Sequence, residues 1–258
     1  MASEDYLSDL CRRAREFKTT LEAKRVELAP PEFWYPYGSM NNLTILDRLL
    51  TGPSRNLLRD IEPKRAADIG AADGDLSFFM EMEGWEMSIV DNPPTNWNGL
   101  RGAKLFKERT GSAVKIVEID LDSQFTLDNH YEVVFALGIL YHLKNPFYFL
   151  ESLSHIARFA FLSTRVTRWS GPIDNSVAAD RVLLESLPIA YLLGPAECNN
   201  DSTNYWIFSE AGLRRLIART GWQIVNYLKL GEVENADPFT ATNDARSFCL
   251  LKSRNCNS

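Results

Sequence analysis

The residues of this sequence best suited to chemistry are three aspartates, Asp68, Asp91 and Asp120, each closing an apolar run. The first stands in Asp68-Ile69-Gly70-Ala71-Ala72-Asp73-Gly74, where Gly70 and Gly74 let the backbone turn tightly and approach a ligand. A carboxylate just before the first glycine repels a pyrophosphate and welcomes a cationic amino-acid end. Asp91 follows Asp68 by 23 residues and can accept hydrogen bonds from two ribose hydroxyls. Asp120 precedes Leu121, a carboxylate beside an apolar side chain, which suits the amino group and face of an adenine. A dinucleotide fingerprint beginning at Gly70 needs glycine at positions 72 and 75, but these hold Ala72 and Asp75. Each aspartate alone could be a helix cap; together with the glycine loop they read as a cofactor site.

These carboxylates must be positioned by strands. From Arg65 short apolar runs alternate with helix-sized segments, which predicts a parallel sheet wrapped by helices, with strands near 65–69, 87–91, 114–119, 131–137 and 158–164. Trp222 to Leu230 and Ala245 to Lys252 are strand-like runs with no room for a crossover helix between them, so they are expected to pair antiparallel. Before the sheet, Leu7, Leu10, Ala14, Phe17 and Leu21 share one face of a helix that Pro30-Pro31 stops, and Leu43, Leu46, Leu49 and Leu50 make a second, ended by Gly52-Pro53. The expected organisation is a helical cap over residues 1–63 and a main domain over 64–258. Within it, 166–205 forms a substrate-covering insertion, with a helical segment around Ala178 to Leu187.

Composition narrows the partners. The chain has 258 residues, 45% hydrophobic and 24% charged, which excludes disorder and a disulfide scaffold. The most apolar run, Tyr131 to Leu143, is too short to span a bilayer, and the acidic start Met1-Ala2-Ser3-Glu4-Asp5 is unlike a secretory signal, so a cytoplasmic protein is expected. Four scattered cysteines and three histidines suggest no metal site. A net charge of −6 supplies no global field for nucleic acid.

The order D-x-G-x-x-x-G, Asp91, Asp120 and the terminal strand pair resembles the S-adenosylmethionine-dependent methyltransferases of the Rossmann-like type, over about Lys64 to Lys252. That resemblance implies an α/β fold whose mostly parallel seven-stranded sheet ends in an antiparallel strand, here with the N-terminal helical cap added. It implies S-adenosyl-L-methionine as cofactor, held by Asp68, Gly70, Ala72, Gly74, Asp91, Asp120, Leu121 and Leu137. Ala72 stands where the family often has glycine.

A closer resemblance lies in Phe135 to Pro146, which contains Gly138-Ile139-Leu140-Tyr141-His142 and is similar to the G-[VI]-L-Y-H-x-x-[NHS]-P segment of the wobble-uridine tRNA methyltransferase-like subgroup. Asn204-Tyr205-Trp206 resembles the subgroup's N-x-W segment, and Trp34-Tyr35 its aromatic entry. Arg246 matches an arginine that faces a carboxylated cofactor in the tRNA enzyme. The resemblance thus implies Tyr35, Asn204, Trp206 and Arg246 as substrate-binding residues, with Tyr141 and His142 at the reacting centre.

Methyl transfer from a sulfonium needs donor and acceptor held close in a dry site, and a hydroxyl acceptor is helped by a base. His142 is the titratable group best placed for that, or else a helix-start histidine bonded to backbone. Tyr141 orients cofactor or acceptor, or packs in the core. Arg246 binds an anion, or pairs with Asp244. The expected acceptor is a small molecule; a tRNA wobble base, modified with S-adenosylmethionine or its carboxylated variant, is the alternative that the charge disfavours. Two rival classes are a nicotinamide dehydrogenase, which lacks its glycines here, and a non-catalytic binding module, against which the retained aspartates argue.

Overall fold

The computed structural model describes residues 5–123, 126–127, 130–171, 181–195 and 197–256. The chain divides into two compact units, Met1–Leu137 and Gly138–Ser258.

The first unit opens with α1 (Tyr6–Leu28), capped by the Asp5 carboxylate on the Leu7 N–H at 3.1 Å. Its apolar face buries Leu7, Leu10, Ala14 and Leu21, as the spacing predicts. Two further helices, α2 (Asn42–Leu49) and the single turn α3 (Leu57–Asp60), complete the helical segment. Then come β1 (Arg65–Ile69), α4 (Asp75–Met82), β2 (Glu86–Asp91), α5 (Arg101–Thr110), β3 (Lys115–Glu118) and β4 (Tyr131–Leu137). These strands are parallel and lie in the order β3-β2-β1-β4. Strands β1, β2 and β4 are buried on both faces, which is why they read as continuous apolar runs, whereas the edge strand β3 is not. The strand order reverses between β1 and β4, and ligands of open α/β sheets sit at the carboxyl ends of strands at such a point. Helix α1 is tied to this core by Arg13, whose Nε and Nη2 donate to Glu83 at 2.8 and 2.7 Å.

The second unit contains α6 (Pro146–Ile156), β5 (Ala157–Thr167), β6 (Ala190–Leu192), β7 (Trp206–Ser209), α7 (Glu210–Arg219), β8 (Trp222–Gly231) and β9 (Ala245–Ser253). The antiparallel terminal pair is present, and β9 lies between β8 and β5, antiparallel to both. Seven strands, β1–β5 with β8 and β9, are those expected. Two more were not anticipated: β7 runs parallel to the end of β5 through Val166↔Phe208 and Thr167↔Ser209, and β6 pairs antiparallel with β7.

The helix expected around Ala178 to Leu187 is not found over 181–187; residues 178–180 lie outside the described residues. The backbone there is claimed by a neighbouring segment instead. Ser170 N–H donates to Val182 O at 2.8 Å and Leu184 N–H to Arg168 O at 2.7 Å, an extended pairing that leaves these groups no helical partner. Among the described residues no helix is long and apolar enough to cross a membrane.

Candidate functional site

The first unit gathers its carboxylates at the turn from β1 into α4. Gly70, Ala72 and Gly74 all have left-handed backbone, with φ of +68°, +54° and +79°. At Gly74 a side chain would be strained by this backbone and would also crowd Ile89 of β2. Ala72 tolerates the conformation at a cost, and its N–H is thereby aimed at Asp91 Oδ2, 3.1 Å away. Asp91 also accepts from Asn92 N–H at 2.7 Å and Asn96 Nδ2 at 2.9 Å. Three of its roughly four lone-pair positions are thus filled, and the remainder can take a hydroxyl.

Asp68, Asp73, Asp75 and Asp91 are each no more than 7% exposed. Burial, reinforced by Asp75 and Asp91, pushes the Asp68 carboxyl up to about 7 against its hydrogen bond from Ser77 Oγ at 3.1 Å. Burial likewise lifts Asp75 to about 6 against the pull of Arg25, and raises Asp91. Among the described residues Arg25 is the cation paired with this group, its Nη2 lying 2.5 Å from Asp75 and 3.2 Å from Asp73. Asp120 is exposed, its Oδ1 accepting from Asp122 N–H at 3.0 Å; Leu121 is buried and Leu137 half-buried.

Several residues here were not singled out from the sequence. Arg25 of α1 stacks on Trp34, 4.9 Å from the ring centroid, while Tyr35 N–H donates to Asp73 at 2.6 Å and Asn98 Nδ2 to the other Asp73 oxygen at 2.7 Å. The aromatic entry, Tyr35 included, is therefore fastened to the glycine loop. The available signal was the pair Asp73 and Asp75 flanking Gly74, two carboxylates at a helix start that need a counter-charge when buried.

The second unit brings Tyr141, His142 and Arg246 together. Gly138, with φ of +86°, ends the strand run, and the next residues form a single turn, Leu140–His142. A Cβ at Gly138 would lie 3.6 Å from the Tyr141 hydroxyl and 3.7 Å from Arg246 Nη1, so these two side chains close over its backbone. Arg246 Nη1 donates to the Tyr141 hydroxyl at 3.2 Å, and its guanidinium lies 5.4 Å from that ring's centroid. The pairing with Asp244 is also present but long, 3.5 Å. The rings of Tyr141 and His142 are 4.3 Å apart, and His142 Nδ1 lies 3.1 Å from Thr203 O and 3.0 Å from Thr203 Oγ1. Burial, with a smaller push from Arg246, holds the imidazole below its ordinary value against Thr203 and Asp201.

Asn204 and Trp206 are placed differently. Asn204 is buried, donates from Nδ2 to Cys198 O at 3.1 Å, and leaves Oδ1 without a partner among the described residues. Trp206 lines a cavity of about 250 Å³ with Pro146, Pro188 and Phe208, and its buried Nε1 is also unpartnered there. Among the described residues no hydrogen bond joins either of them to Tyr141 or Arg246.

No described protein family and no curated protein matches this sequence. Solved structures do resemble it. The N-terminal domain of EvdMO1 with SAH bound is 17% identical, with a TM-score of 0.51 over 95% of this chain and 96% of that one; the same domain has been seen in the presence of SAH and D-fucose. TehB from Haemophilus influenzae is 13% identical with a TM-score of 0.52 over 77% of this chain, which spans only 60% of TehB. The proposed RNA methyltransferase PH1948 from Pyrococcus horikoshii is 12% identical, with a TM-score of 0.51 over 97% and 98% of the two chains. The chain thus has the Rossmann-like methyltransferase fold: a mostly parallel α/β sheet of seven core strands, the last antiparallel, preceded by N-terminal helix.

Proposed function

We propose that this protein is an S-adenosylmethionine-dependent methyltransferase acting on a small hydroxylated, aminated or carboxylated acceptor. The observation that carries this reading is the buried group Asp68, Asp73, Asp75 and Asp91, with Arg25 as its paired cation. Such a site fits a ligand bearing a sulfonium and an ammonium, and the acidic start of α4 does not fit a pyrophosphate. When bound, the cofactor supplies a methyl group on a sulfonium whose departure leaves a neutral thioether.

In this reading Asp91 holds a ribose hydroxyl at its remaining lone pair, Asp120 and Leu121 the adenine, and Asp68 the cationic amino-acid end. Gly70, Ala72 and Gly74 bring the backbone close, and Leu137 contributes an apolar wall. Tyr141 orients the acceptor through its hydroxyl, and His142 takes up the acceptor's proton. Asn204 Oδ1 and Trp206 Nε1, buried without protein partners among the described residues, are available to a ligand, Arg246 offers the acceptor a cation, and Tyr35 is proposed as a further substrate-binding residue. Residues 166–205 are proposed to cover the substrate.

A second reading, a wobble-uridine tRNA methyltransferase using the cofactor or its carboxylated variant, is favoured by one observation. Among the described residues Arg165 and Arg246 share one ion-paired carboxylate, Asp244, and the Arg246 contact is long, so the guanidinium beside Tyr141 can turn to an anionic group. Mass spectrometry of the ligand that co-purifies with the protein separates S-adenosylmethionine, its carboxylated variant and NAD; finding NAD overturns the proposal. Binding of tRNA at micromolar affinity or better in about 0.15 M salt, falling steeply with added salt, would promote the second reading.

A further inference from the structure

His142 is not simply a histidine near a hydroxyl; its ring is constrained by two acceptors that fix where its proton must sit. Thr203 O is a carbonyl and can only accept, so the nitrogen 3.1 Å from it, Nδ1, must carry the hydrogen. The second contact imposes the same choice independently. Thr203 Oγ1 donates its own hydrogen to Asp201 Oδ1 at 2.6 Å, and a carboxylate can only accept, so toward Nδ1, 3.0 Å away, the hydroxyl oxygen is left as acceptor.

The loop that makes these contacts is tied down by further hydrogen bonds. Asp201 Oδ1 also accepts from Thr203 N–H at 2.9 Å, Asn204 N–H donates to Asp201 O at 3.1 Å, and Tyr205 N–H donates to Tyr141 O at 2.8 Å. The last bond fastens the loop to the same short turn that bears His142. Among the described residues nothing hydrogen-bonds Nε2.

We infer that Thr203 and Asp201 are positioning residues that hold neutral His142 as its Nδ1–H tautomer, leaving the Nε2 lone pair free to accept a proton from the acceptor. This rests on the reading of His142 as the base. In the step itself the acceptor's O–H or N–H bond breaks, its electron pair stays on the acceptor atom, and the proton forms a bond to Nε2. The resulting imidazolium keeps Nδ1–H on Thr203, with the Asp201 carboxylate behind the hydroxyl to offset the new charge. The charged groups acting on the ring are Asp201, which favours that cation, and Arg246, which opposes it; burial opposes it more strongly than either. The ring is therefore neutral at pH 7 and available as a base.

The test is nitrogen NMR on the whole protein labelled at histidine, with the His142 signals assigned through His142→Gln. The expected result at pH 7.5 is a protonated Nδ1 and a lone-pair Nε2. Thr203→Val keeps the carbonyl but removes the hydroxyl that links the ring to Asp201, so it should lower the His142 titration midpoint by about half a unit or more while the tautomer persists, and Thr203→Ser should restore the original midpoint. A wild-type ring protonated at Nε2 overturns the inference, as does a Thr203→Val protein with an unchanged midpoint. Should Thr203→Val not fold, the wild-type tautomer alone decides. Loss of the base reading would look different: the tautomer as expected, but methyl transfer undiminished in His142→Gln.

Discussion

Arg165 on β5 and Arg246 on β9 stand opposite one another as register partners, and a single carboxylate, Asp244, serves both. Its Oδ1 lies 2.7 Å from Arg165 Nε as an ion pair without hydrogen-bond alignment, and its Oδ2 lies 3.5 Å from Arg246 Nε. Arg165 is only 3% exposed, and its Nη1 contacts the Cys198 sulfur, so Asp244 is the counter-charge that keeps two adjacent guanidiniums tolerable. Asp244→Asn should destabilise the protein by about 2 kcal/mol, below the range for fully buried pairs because Asp244 is partly exposed. Urea unfolding measures this. Adding Arg246→Gln should recover part of the loss by removing the repulsion; a double variant no better than the single one would show that Asp244 does not act through the arginine pair.

Arg25 clamps α1 to the glycine loop through Asp73 and Asp75. In Arg25→Gln those buried carboxylates lose their cation, at a cost of about 3 kcal/mol at pH 8. The cost should shrink at pH 5, because Asp75, already lifted to about 6 by burial, then takes up a proton instead of remaining an unpaired charge. Denaturation of both proteins at the two pH values checks this, and an equal loss at both would detach Asp75 from the clamp.

The strands that carry Asp68 and Asp91 were legible because parallel strands buried on both faces leave unbroken apolar runs, and because each aspartate lies at the end of its own run. The clamp was not legible. Arg25 lies 48 residues from Asp73 and 50 from Asp75, and nothing local marks it among the arginines of its helix. Arg165 was hidden in the same way, within a run that reads as an ordinary buried strand. Strand β6, Ala190–Leu192, is too short for periodicity to register. The apolar stretch Val182 to Leu187 looked helical, yet Val182, Leu183 and Leu187 are all more than 40% exposed, and pairing with Arg168 to Ser170 decides its conformation. For Thr203 the signal was present: Asp201-x-Thr203 is the pattern of an aspartate turn, in which the side chain accepts from the backbone two residues on.

Ala72 holds a left-handed conformation that glycine adopts freely. Replacing it with glycine removes about 1–2 kcal/mol of backbone strain but makes the unfolded chain more flexible by somewhat less, for a net stabilisation of about 0.5–1 kcal/mol. In thermal unfolding that is a rise of about 2 °C in Tm. A lowered Tm would mean that the Ala72 methyl contributes packing that outweighs the strain.

Asp91→Asn keeps the shape of the side chain while removing the charge that strengthens its hydrogen bond to a ribose hydroxyl, a difference of about 1.5–3 kcal/mol. Affinity for S-adenosylmethionine should fall about tenfold or more by calorimetry. Equal affinity in the folded variant would remove Asp91 from the ribose site.

Asp68 gives the cofactor site a pH dependence of definite sign. Its folded-state value, about 7, lies above the ordinary 3.8, so between these limits the folded protein holds a proton that the unfolded chain has released. Its contribution to stability is therefore complete below about 3.8 and is lost as the pH rises toward 7. Without ligand, then, wild-type stability should decline over that window more than that of Asp68→Asn. A cationic ligand reverses the balance, since it prefers the ionised carboxylate: its affinity should rise from pH 6 to 8, and binding near pH 7 should expel a proton. Calorimetry of S-adenosylmethionine binding in two buffers of different ionisation enthalpy counts that proton. In Asp68→Asn the released proton should vanish and the affinity should fall. Proton release that persists in the variant would assign the titration to another group and remove Asp68 from the cationic end of the site.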